Sequence, residues 1–331
     1  MRWRTWGCGP LLLGTGLALG CGARPQARPD PPPRLTLPAA DLDLAIPGLG
    51  PCTESPDRTL HLDRHQPVFV LVHGCRGSAG LFQALAQVIA FHGQQAVGFS
   101  YPERDSLMAV SGRLAHCLDA LSAAMGDRPI IVLGHSMGGL IARKALVAGR
   151  ADGLRDLGAR LTLVTISAPF AGIEAASHCG SPVARALSLG LVVPICRAIS
   201  GEKWFEITYA SDFIRKPGRL LPQVDRHLIL RTDERGSCRR LKVDGTCAES
   251  DAIFALEEQR QPQVEADPRV KSLEIKAGHV EIVGDRRVAP VKLLAALQAE
   301  GLLAPTPPGR QAGLRLLLDR LYGEDLRAET D

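Results

Sequence analysis

Short apolar runs alternate with amphipathic segments from about residue 66 onward. The run at 67–74, PVFVLVHG, has five successive apolar residues and is typical of a strand buried on both faces. The segment 78–93 has helical periodicity and ends at a glycine. The same criteria predict further strands at 95–101, 130–136, 161–169, 227–232 and 270–275, and further helices at 106–126, 137–149 and 288–303. This alternation predicts an α/β fold with a mostly parallel central sheet covered by helices on both faces.

Two segments depart from the alternation. Between the fourth and fifth predicted strands, residues 170–225 show no clear strand pattern but contain the apolar stretch ALSLGLVVPI. We interpret them as an inserted lid, or alternatively as a buried helix with a packing role. Beyond a proline-rich break at 305–309, an amphipathic helix is expected through 314–321, and docking onto the domain is favoured over partner binding. The predicted main domain thus covers 51–304, and 305–331 is a C-terminal extension.

Composition narrows the choice of class only slightly. The chain has 331 residues, 45% of them hydrophobic, which is enough for one large core. The net charge of +4 and the aromatic content of 4% do not suggest a nucleic-acid-binding surface.

The N-terminus resembles an export signal. A basic start is followed by an apolar stretch of ten residues, 11–20, which is too short to span a bilayer. It leads into Ala18-Leu19-Gly20-Cys21, which resembles the lipobox of bacterial lipoproteins, with leucine where a smaller residue is commoner. We therefore expect a signal peptide at 1–20, lipidation of Cys21 and a proline-rich tether at 21–50 that holds the domain at a membrane, in the outer membrane or at the cell surface. Ordinary cleavage to a secreted or periplasmic protein is the alternative.

Export also changes the interpretation of the cysteines. Seven would remain beside Cys21, and an oxidising compartment favours disulfides. Cys238 and Cys247 bracket a short charged loop and form the best predicted pair, followed by Cys179 with Cys196. The remaining cysteines leave the pairing open, since Cys52 could join either Cys75 or Cys117. No metal-ligand spacing accompanies these residues.

Candidate chemistry centres on Gly134-His135-Ser136-Met137-Gly138, between a predicted strand and a predicted helix. Glycines at i−2 and i+2 remove Cβ atoms that would collide in a sharp turn, and the following helix directs its N-terminal N–H groups toward the serine. Such a turn exposes a hydroxyl beside a site for negative charge, as acyl transfer requires. A glycine-rich turn with a capping serine is the non-catalytic interpretation.

Three motifs resemble the α/β-hydrolase superfamily in its lipase and esterase branches. VLGHSMGGLIARKA is similar to the nucleophile elbow, VFVLVHGCRGSAGLFQALA to the His-Gly oxyanion loop, and TISAPFAG to the segment after the next strand. The resemblance covers about residues 66–300 and implies a Ser…Asp…His order. It also implies oxyanion donors at the backbone N–H groups of Cys75 and Met137.

Chain order then selects the base, because among nine histidines only His279 lies beyond residue 227. The acid should follow the fifth strand, where the candidates are Asp233, Glu234, Asp244, Glu249 and Asp251. The segment SDAIFALEEQ resembles the family's acid segment, although it lacks the usual glycine and proline. It favours Asp251, with Asp233 second.

The predicted function is hydrolysis of acyl esters, as in a lipase or carboxylesterase, through Ser136, His279 and Asp251. No cofactor or metal is expected. Beyond the acyl-ester or lipid substrate and the membrane, the sequence indicates no partner. Thioesterase, polyester depolymerase and acyltransferase activities use the same triad, and a catalytically silent, surface-tethered binding domain is the alternative from another class.

Overall fold

The central feature of the computed structural model is a seven-stranded sheet. The structure describes residues 39–75, 77–102, 104–150, 159–173, 203–285 and 287–323. The strands in these ranges are β1 Leu42–Leu44, β2 Leu49–Gly50, β3 Leu60–Leu62, β4 Val68–Val72, β5 Gln95–Phe99, β6 Ile130–His135, β7 Leu161–Ile166, β8 Val224–Asp233, β9 Cys238–Leu241, β10 Cys247–Ser250 and β11 Val270–Lys276.

The sheet order is β11-β8-β7-β6-β4-β5-β2. Six strands run parallel, and only the short edge strand β2 is antiparallel to its neighbour β5. Parallel strands bring all their carboxyl ends to one edge of the sheet, where sites form in open α/β folds. The predicted mostly parallel sheet is therefore confirmed.

Helices cover both faces. Those in the described ranges are α1 Gln83–Phe91, α2 Leu107–Met125, α3 Met137–Ala145, α4 Lys203–Glu206, α5 Asp212–Arg215, α6 Pro262–Glu265, α7 Val291–Ala299 and α8 Gln311–Tyr322. Short 3₁₀ helices lie at Ala79–Phe82, Glu257–Gln259 and Glu281–Val283. None of the described helices combines the length and apolar character needed to cross a membrane.

Strand β4 shows how the sequence divides the core between two layers. Val68, Val70 and Val72 pack with residues of α2 and α3 on one face. Phe69 and Leu71 pack with residues of α1, α7 and α8 on the other. Successive side chains of a strand point to opposite faces, so an unbroken apolar run is what a strand covered on both faces requires.

Helix α2 shows how local signals set element bounds. The hydroxyl of Ser106 accepts a hydrogen bond from the N–H of Ala109 at 3.3 Å and caps the first turn. The helix ends at Gly126, whose φ of +66° glycine adopts without steric cost. Leu114, Leu118 and Leu121 form its buried stripe.

The N-terminal part of the fold begins earlier than the sequence suggested. Strand β1 pairs with β3, and β2 joins the central sheet beside β5. Leu49 is buried in the core. The tether expected at 21–50 therefore extends too far, because residues from 42 onward are folded; the expected signal peptide and Cys21 lie outside the described residues.

The two segments set apart in the sequence have different outcomes. Helix α8 docks through Leu317 and Tyr322, which are buried against the layer containing α1, as expected of a docked terminal helix. Of the expected lid, residues 174–202 lie outside the described ranges. Its described end contains α4 and α5, and the Glu206 carboxylate of α4 accepts hydrogen bonds from the N–H groups of Leu107 and Met108 at the start of α2.

Candidate active site

Ser136 lies at the turn between β6 and α3, at the carboxyl edge of the sheet. Its φ is +57° and its ψ is −129°. Among the described non-glycine residues, Ser136 is one of two that have a positive φ. Such a backbone costs about 1–3 kcal/mol and persists only where surrounding structure holds it. Here the N–H of Ser136 donates to the carbonyl of Ile166 at 2.8 Å, and its own carbonyl accepts from Gly139 at 2.9 Å.

The glycines around Ser136 are required by close packing. A Cβ at Gly134 would lie 2.7 Å from the Cα of Gly139, and a Cβ at Gly138 would overlap the carbonyl of Val72. Real Cβ atoms do not approach so closely. The predicted steric role of glycine at i−2 and i+2 is therefore confirmed.

The loop after β4 packs directly against the serine. A Cβ at Gly74 would lie 2.8 Å from the Cβ of Ser136 and 3.3 Å from its Oγ. The His73 ring stacks on Tyr101 with centroids 4.2 Å apart, and the Tyr101 hydroxyl donates to the His73 carbonyl at 2.7 Å. His73 thus braces the loop that carries Cys75.

Both predicted oxyanion donors belong to segments that border Ser136. Met137 is the first residue of α3, where N–H groups have no partner within the helix. Cys75 is exposed, and the buried Lys203 of α4 donates to its Sγ at 3.5 Å. The described end of the expected lid therefore contacts the oxyanion loop.

His279 lies at the same edge of the sheet. It is 6% exposed and follows β11 in a short loop. The ring of His135, the residue before Ser136, lies 4.8 Å from the His279 ring between centroids. The Nε2–H of His135 donates to the backbone carbonyl of His279 at 2.8 Å. The structure thus brings together two segments more than 140 residues apart in sequence.

The acid on the His279 ring is Glu234. Its Oε1 lies 2.8 Å from Nδ1 of His279, and its side chain is 1% exposed. An ionised carboxylate only accepts, so Nδ1 carries the proton and Nε2 is left as the basic nitrogen. The other oxygen, Oε2, accepts from the N–H groups of Ile253 and Phe254 at 2.5 and 2.8 Å.

Asp251, the predicted acid, does not contact the imidazole. Its carboxylate accepts from the backbone N–H of Val280 at 3.0 Å and of Glu281 at 3.0 Å, and its carbonyl accepts from the N–H of His279. Burial raises the pKa of Asp251, and these two N–H groups oppose that rise. The prediction that Asp251 is the acid hydrogen-bonded to the imidazole of His279 is therefore wrong. Asp251 holds the backbone of the loop, and Gly278 lacks a Cβ that would overlap its carboxylate.

The carboxylates of the other candidate acids form ion pairs or hydrogen bonds with residues other than His279. Asp233 pairs with Arg235 at 2.7 Å, and this partner lowers its pKa below the usual range. Asp244 accepts from Thr246 in a turn, and Glu249 pairs with Arg239 at 3.0 Å.

A buried hydroxyl network supports Glu234 from behind. The Thr232 hydroxyl donates to Glu234 Oε1 at 2.9 Å and lies 2.7 Å from the hydroxyl of Ser167. Ser167 is the second non-glycine residue with positive φ, at +48°. Gln259 brackets Thr232 by accepting from its N–H and donating to its carbonyl. Thr232 and Glu234 continue the face that begins with the buried Leu228 and Leu230, and this alternation was the signal that could have identified Glu234.

The imidazole of His279 is enclosed by two rings. Phe254 packs edge-on at 4.8 Å between centroids, and His135 makes the contact described above. Burial lowers the pKa of His135 to about 3, and the neighbouring His279 adds to the effect. His135 is therefore a neutral donor at physiological pH.

Cysteine pairing is confirmed in one case. Cys238 and Cys247 form a disulfide with a Cα–Cα distance of 5.8 Å and close the β9–β10 hairpin, which we call the finger. Cys52, Cys75 and Cys117 form no disulfide with one another, so neither open pairing of Cys52 is formed. Cys179 and Cys196 lie outside the described residues.

Comparison with known proteins agrees with this architecture. The model of a family described as the alpha/beta hydrolase fold matches residues 67–170. This range contains the oxyanion loop, the turn at Ser136 and the strand that follows. No curated protein sequence matches the chain significantly.

Several solved structures are similar at low identity. Mature lipase BlEst2 of Bacillus licheniformis aligns at 16% identity and a TM-score of 0.47, covering 78% of this chain and 97% of the lipase. A protein of Silicibacter sp. TM1040 that is provisionally assigned as a thioesterase aligns at 17% identity and a TM-score of 0.45, covering 74% of this chain and 80% of that protein. The monoacylglycerol lipase of Paleococcus ferrophilus aligns at 16% and 0.44, covering 72% and 95%. At these identities no residue role is transferred.

The order of the parallel strands, the serine turn at their carboxyl edge and the family match over residues 67–170 lead to one assignment. The chain has the α/β-hydrolase fold.

Proposed function

We propose that this chain is a serine hydrolase that cleaves acyl esters, with Ser136 as nucleophile, His279 as base and Glu234 as acid. The observation that carries the proposal is the buried hydrogen bond between Glu234 and Nδ1 of His279, at the edge of the sheet where Ser136 occupies a strained turn. A buried carboxylate that fixes the tautomer of a histidine beside a constrained serine is the arrangement that nucleophilic acyl transfer requires.

The proposed reaction has two steps. Nε2 of His279 takes the proton of Ser136 as Oγ attacks the ester carbonyl, and the N–H groups of Cys75 and Met137 receive the oxyanion. His279 returns the proton to the departing alcohol, which leaves an acyl-Ser136. Water then gives its proton to His279 and attacks the acyl group. His279 passes this proton to Oγ of Ser136 as the bond to the acyl group breaks and the acid is released.

The carboxylate of Glu234 supports the positive charge of His279 during both steps. Three donors from the protein, namely two backbone N–H groups and the Thr232 hydroxyl, hold it in place before the reaction begins. Because these donors are already oriented, the site need not reorganise as charge develops.

A fluorophosphonate probe tests the enzyme proposal most directly. We expect the wild-type chain to be labelled and Ser136→Ala to remain unlabelled. A folded wild-type chain that stays unlabelled while a reference serine hydrolase reacts would contradict the proposal and favour a silent binding domain. Hydrolysis of p-nitrophenyl esters of graded length, beside a thioester and an amide, then measures which acyl substrate is preferred.

The two acids are separated by a matched pair of variants. In Glu234→Gln the amide group cannot accept from all four donors, so kcat should fall roughly 10³- to 10⁴-fold, as expected when the tautomer is no longer fixed. Asp251→Asn keeps one acceptor oxygen for the backbone of the loop, so we expect a loss of no more than about tenfold. Near-ultraviolet circular dichroism checks that both variants are folded. The reverse ranking would return the acid role to Asp251.

We also propose that the chain is exported and anchored to a membrane through lipidation of Cys21. The support is the basic and apolar N-terminus followed by the lipobox-like Ala18-Leu19-Gly20-Cys21. Cys21→Ser should move the protein from the membrane fraction to the soluble fraction without changing esterase activity. Unchanged partitioning of this variant would remove the anchoring proposal.

A further inference from the structure

The finger projects from the active-site edge of the domain with an apolar and cationic tip. Strands β9 and β10 are antiparallel, and a tight turn joins them through Gly245, whose N–H donates to the carbonyl of Lys242 at 2.9 Å. Beside this turn, Leu241 is 65% exposed and Val243 is fully exposed.

The exposed apolar residues are unevenly distributed. Eight large hydrophobic residues are exposed among those the structure describes, and three of them fall within the short stretch 241–253, namely Leu241, Val243 and Ile253. Single exposed apolar residues are ordinary, whereas several on one projection mark an interaction surface.

The tip also carries a net positive charge. Arg240 and Lys242 are exposed, and within the described part of the chain neither side chain has an acidic partner. Glu249 pairs with Arg239, whereas Asp244 accepts from the N–H and the hydroxyl of Thr246 and keeps its charge, so the two cations outnumber the one acid within residues 240–246. Two cations interleaved with two apolar side chains match an anionic lipid surface, where charges meet headgroups and apolar groups enter the interface.

The finger is firmly attached to the catalytic machinery. It begins directly after Glu234, the Cys238–Cys247 disulfide closes it, and at its base the N–H of Asp251 donates to the carbonyl of Ser237 at 3.2 Å. Asp251 in turn holds the backbone of the His279 loop. The base of the finger therefore lies at the edge of the sheet where the reaction would take place.

We propose that the tip of the finger, formed by Arg240, Leu241, Lys242 and Val243, inserts into an anionic lipid surface and seats the active site on it. This deepens the proposed ester hydrolysis, on which it rests, by assigning the substrate to a membrane or lipid aggregate. A lipid surface suits the tip better than a protein partner does, because a tip of four residues is far smaller than a stable protein interface, which has about 20–30 residues on each side.

Vesicle co-sedimentation tests the proposal without relying on activity. The protein is residues 22–331, which contain every described strand and helix but neither Cys21 nor the predicted signal. The probes are phosphatidylcholine vesicles with and without phosphatidylglycerol. We expect binding that is stronger to the anionic vesicles and weakens as salt is added.

Matched variants distinguish vesicle binding through the finger from vesicle binding through any exposed apolar residue. Leu241→Asp combined with Val243→Asp should weaken binding roughly tenfold or more, because two apolar side chains are lost and two negative charges are gained. The control, Val291→Asp with Leu316→Asp, changes two exposed apolar residues on α7 and α8, 53% and 51% exposed, and should bind like the wild type. Arg240→Gln with Lys242→Gln should remove the preference for anionic vesicles.

Failure of the docking proposal and failure of the proposed ester hydrolysis give different results. Hydrolysis of a soluble p-nitrophenyl ester should be unchanged in all three double variants, since none alters the site. If no soluble ester is cleaved, ester hydrolysis fails while vesicle binding still reports on the finger. Equal binding by the finger and control variants would overturn the docking proposal, as would binding to a soluble polyanion but not to vesicles.

Discussion

Protonation of His135 should destabilise the fold at mildly acidic pH. Burial lowers the pKa of this histidine from 6.5 to about 3, with the neighbouring His279 as a second cause. Its Nε2–H donates to the backbone carbonyl of His279, so the neutral ring also ties β6 to the His279 loop. Between the two pKa values the unfolded chain binds a proton that the folded chain does not, and stability therefore falls as the pH is lowered.

The size of the effect follows from the two pKa values. Moving from about pH 7.5 to about pH 5 should lower the free energy of unfolding by about 2 kcal/mol through this residue alone. This is an upper value, because His135 is half-buried when its whole residue is counted, and solvent screens part of the charge. It is still a large fraction of the stability of an ordinary domain.

Urea unfolding of wild type and His135→Gln at both pH values measures the effect. Glutamine does not titrate and retains an N–H donor, so the variant should lose about 2 kcal/mol less than the wild type on acidification. His116→Gln, at an exposed position on α2, is the control and should behave like the wild type. If wild type and His135→Gln lose stability in parallel, the assignment of a buried neutral histidine is wrong.

Three further predictions concern the supports of the site. Gly138→Ala places a Cβ against the carbonyl of Val72 and should abolish fluorophosphonate labelling even in protein that remains folded by circular dichroism. Thr232→Val removes one donor to Glu234 and should lower kcat roughly tenfold with little change in KM. Urea unfolding should show a free energy of unfolding lower by about 1–2 kcal/mol. An equal change in KM would argue against a positioning role. Replacing both cysteines of the finger with serine should cost about 2–3 kcal/mol by loop-closure entropy if the finger unfolds with the domain, and an unchanged urea midpoint would mean that it does not.

The turn at Ser136 was predictable because steric constraints on a tight turn appear directly as glycines in the sequence. No residue with a Cβ fits at Gly134 or Gly138, because neighbouring backbone atoms lie too close. The apolar strand before the turn and the helix after it identify the turn as a strand-to-helix connection. His279 could be assigned because chain order left no other histidine after residue 227.

The acid could not be assigned in the same way. Glu234 lies before the finger and Asp251 lies after it, and the base of the finger brings these two segments together. Both acids therefore follow β8, and position along the chain does not distinguish them. The choice depends on the path of the backbone after the finger, where the N–H groups of Ile253 and Phe254 face Glu234. Residues 42–50 were assigned to the tether for a related reason, since very short strands such as β1 and β2 have too few residues to show a period.

The base of the finger has a consequence for how this protein can vary. Its entry and exit are joined by the Ser237–Asp251 hydrogen bond and by the disulfide, so the chain between the two cysteines is a nearly closed loop. Residues 242–246 can therefore be lengthened, shortened or replaced without displacing Glu234, and related proteins or engineered variants could exchange this segment while keeping the arrangement of Glu234 and His279.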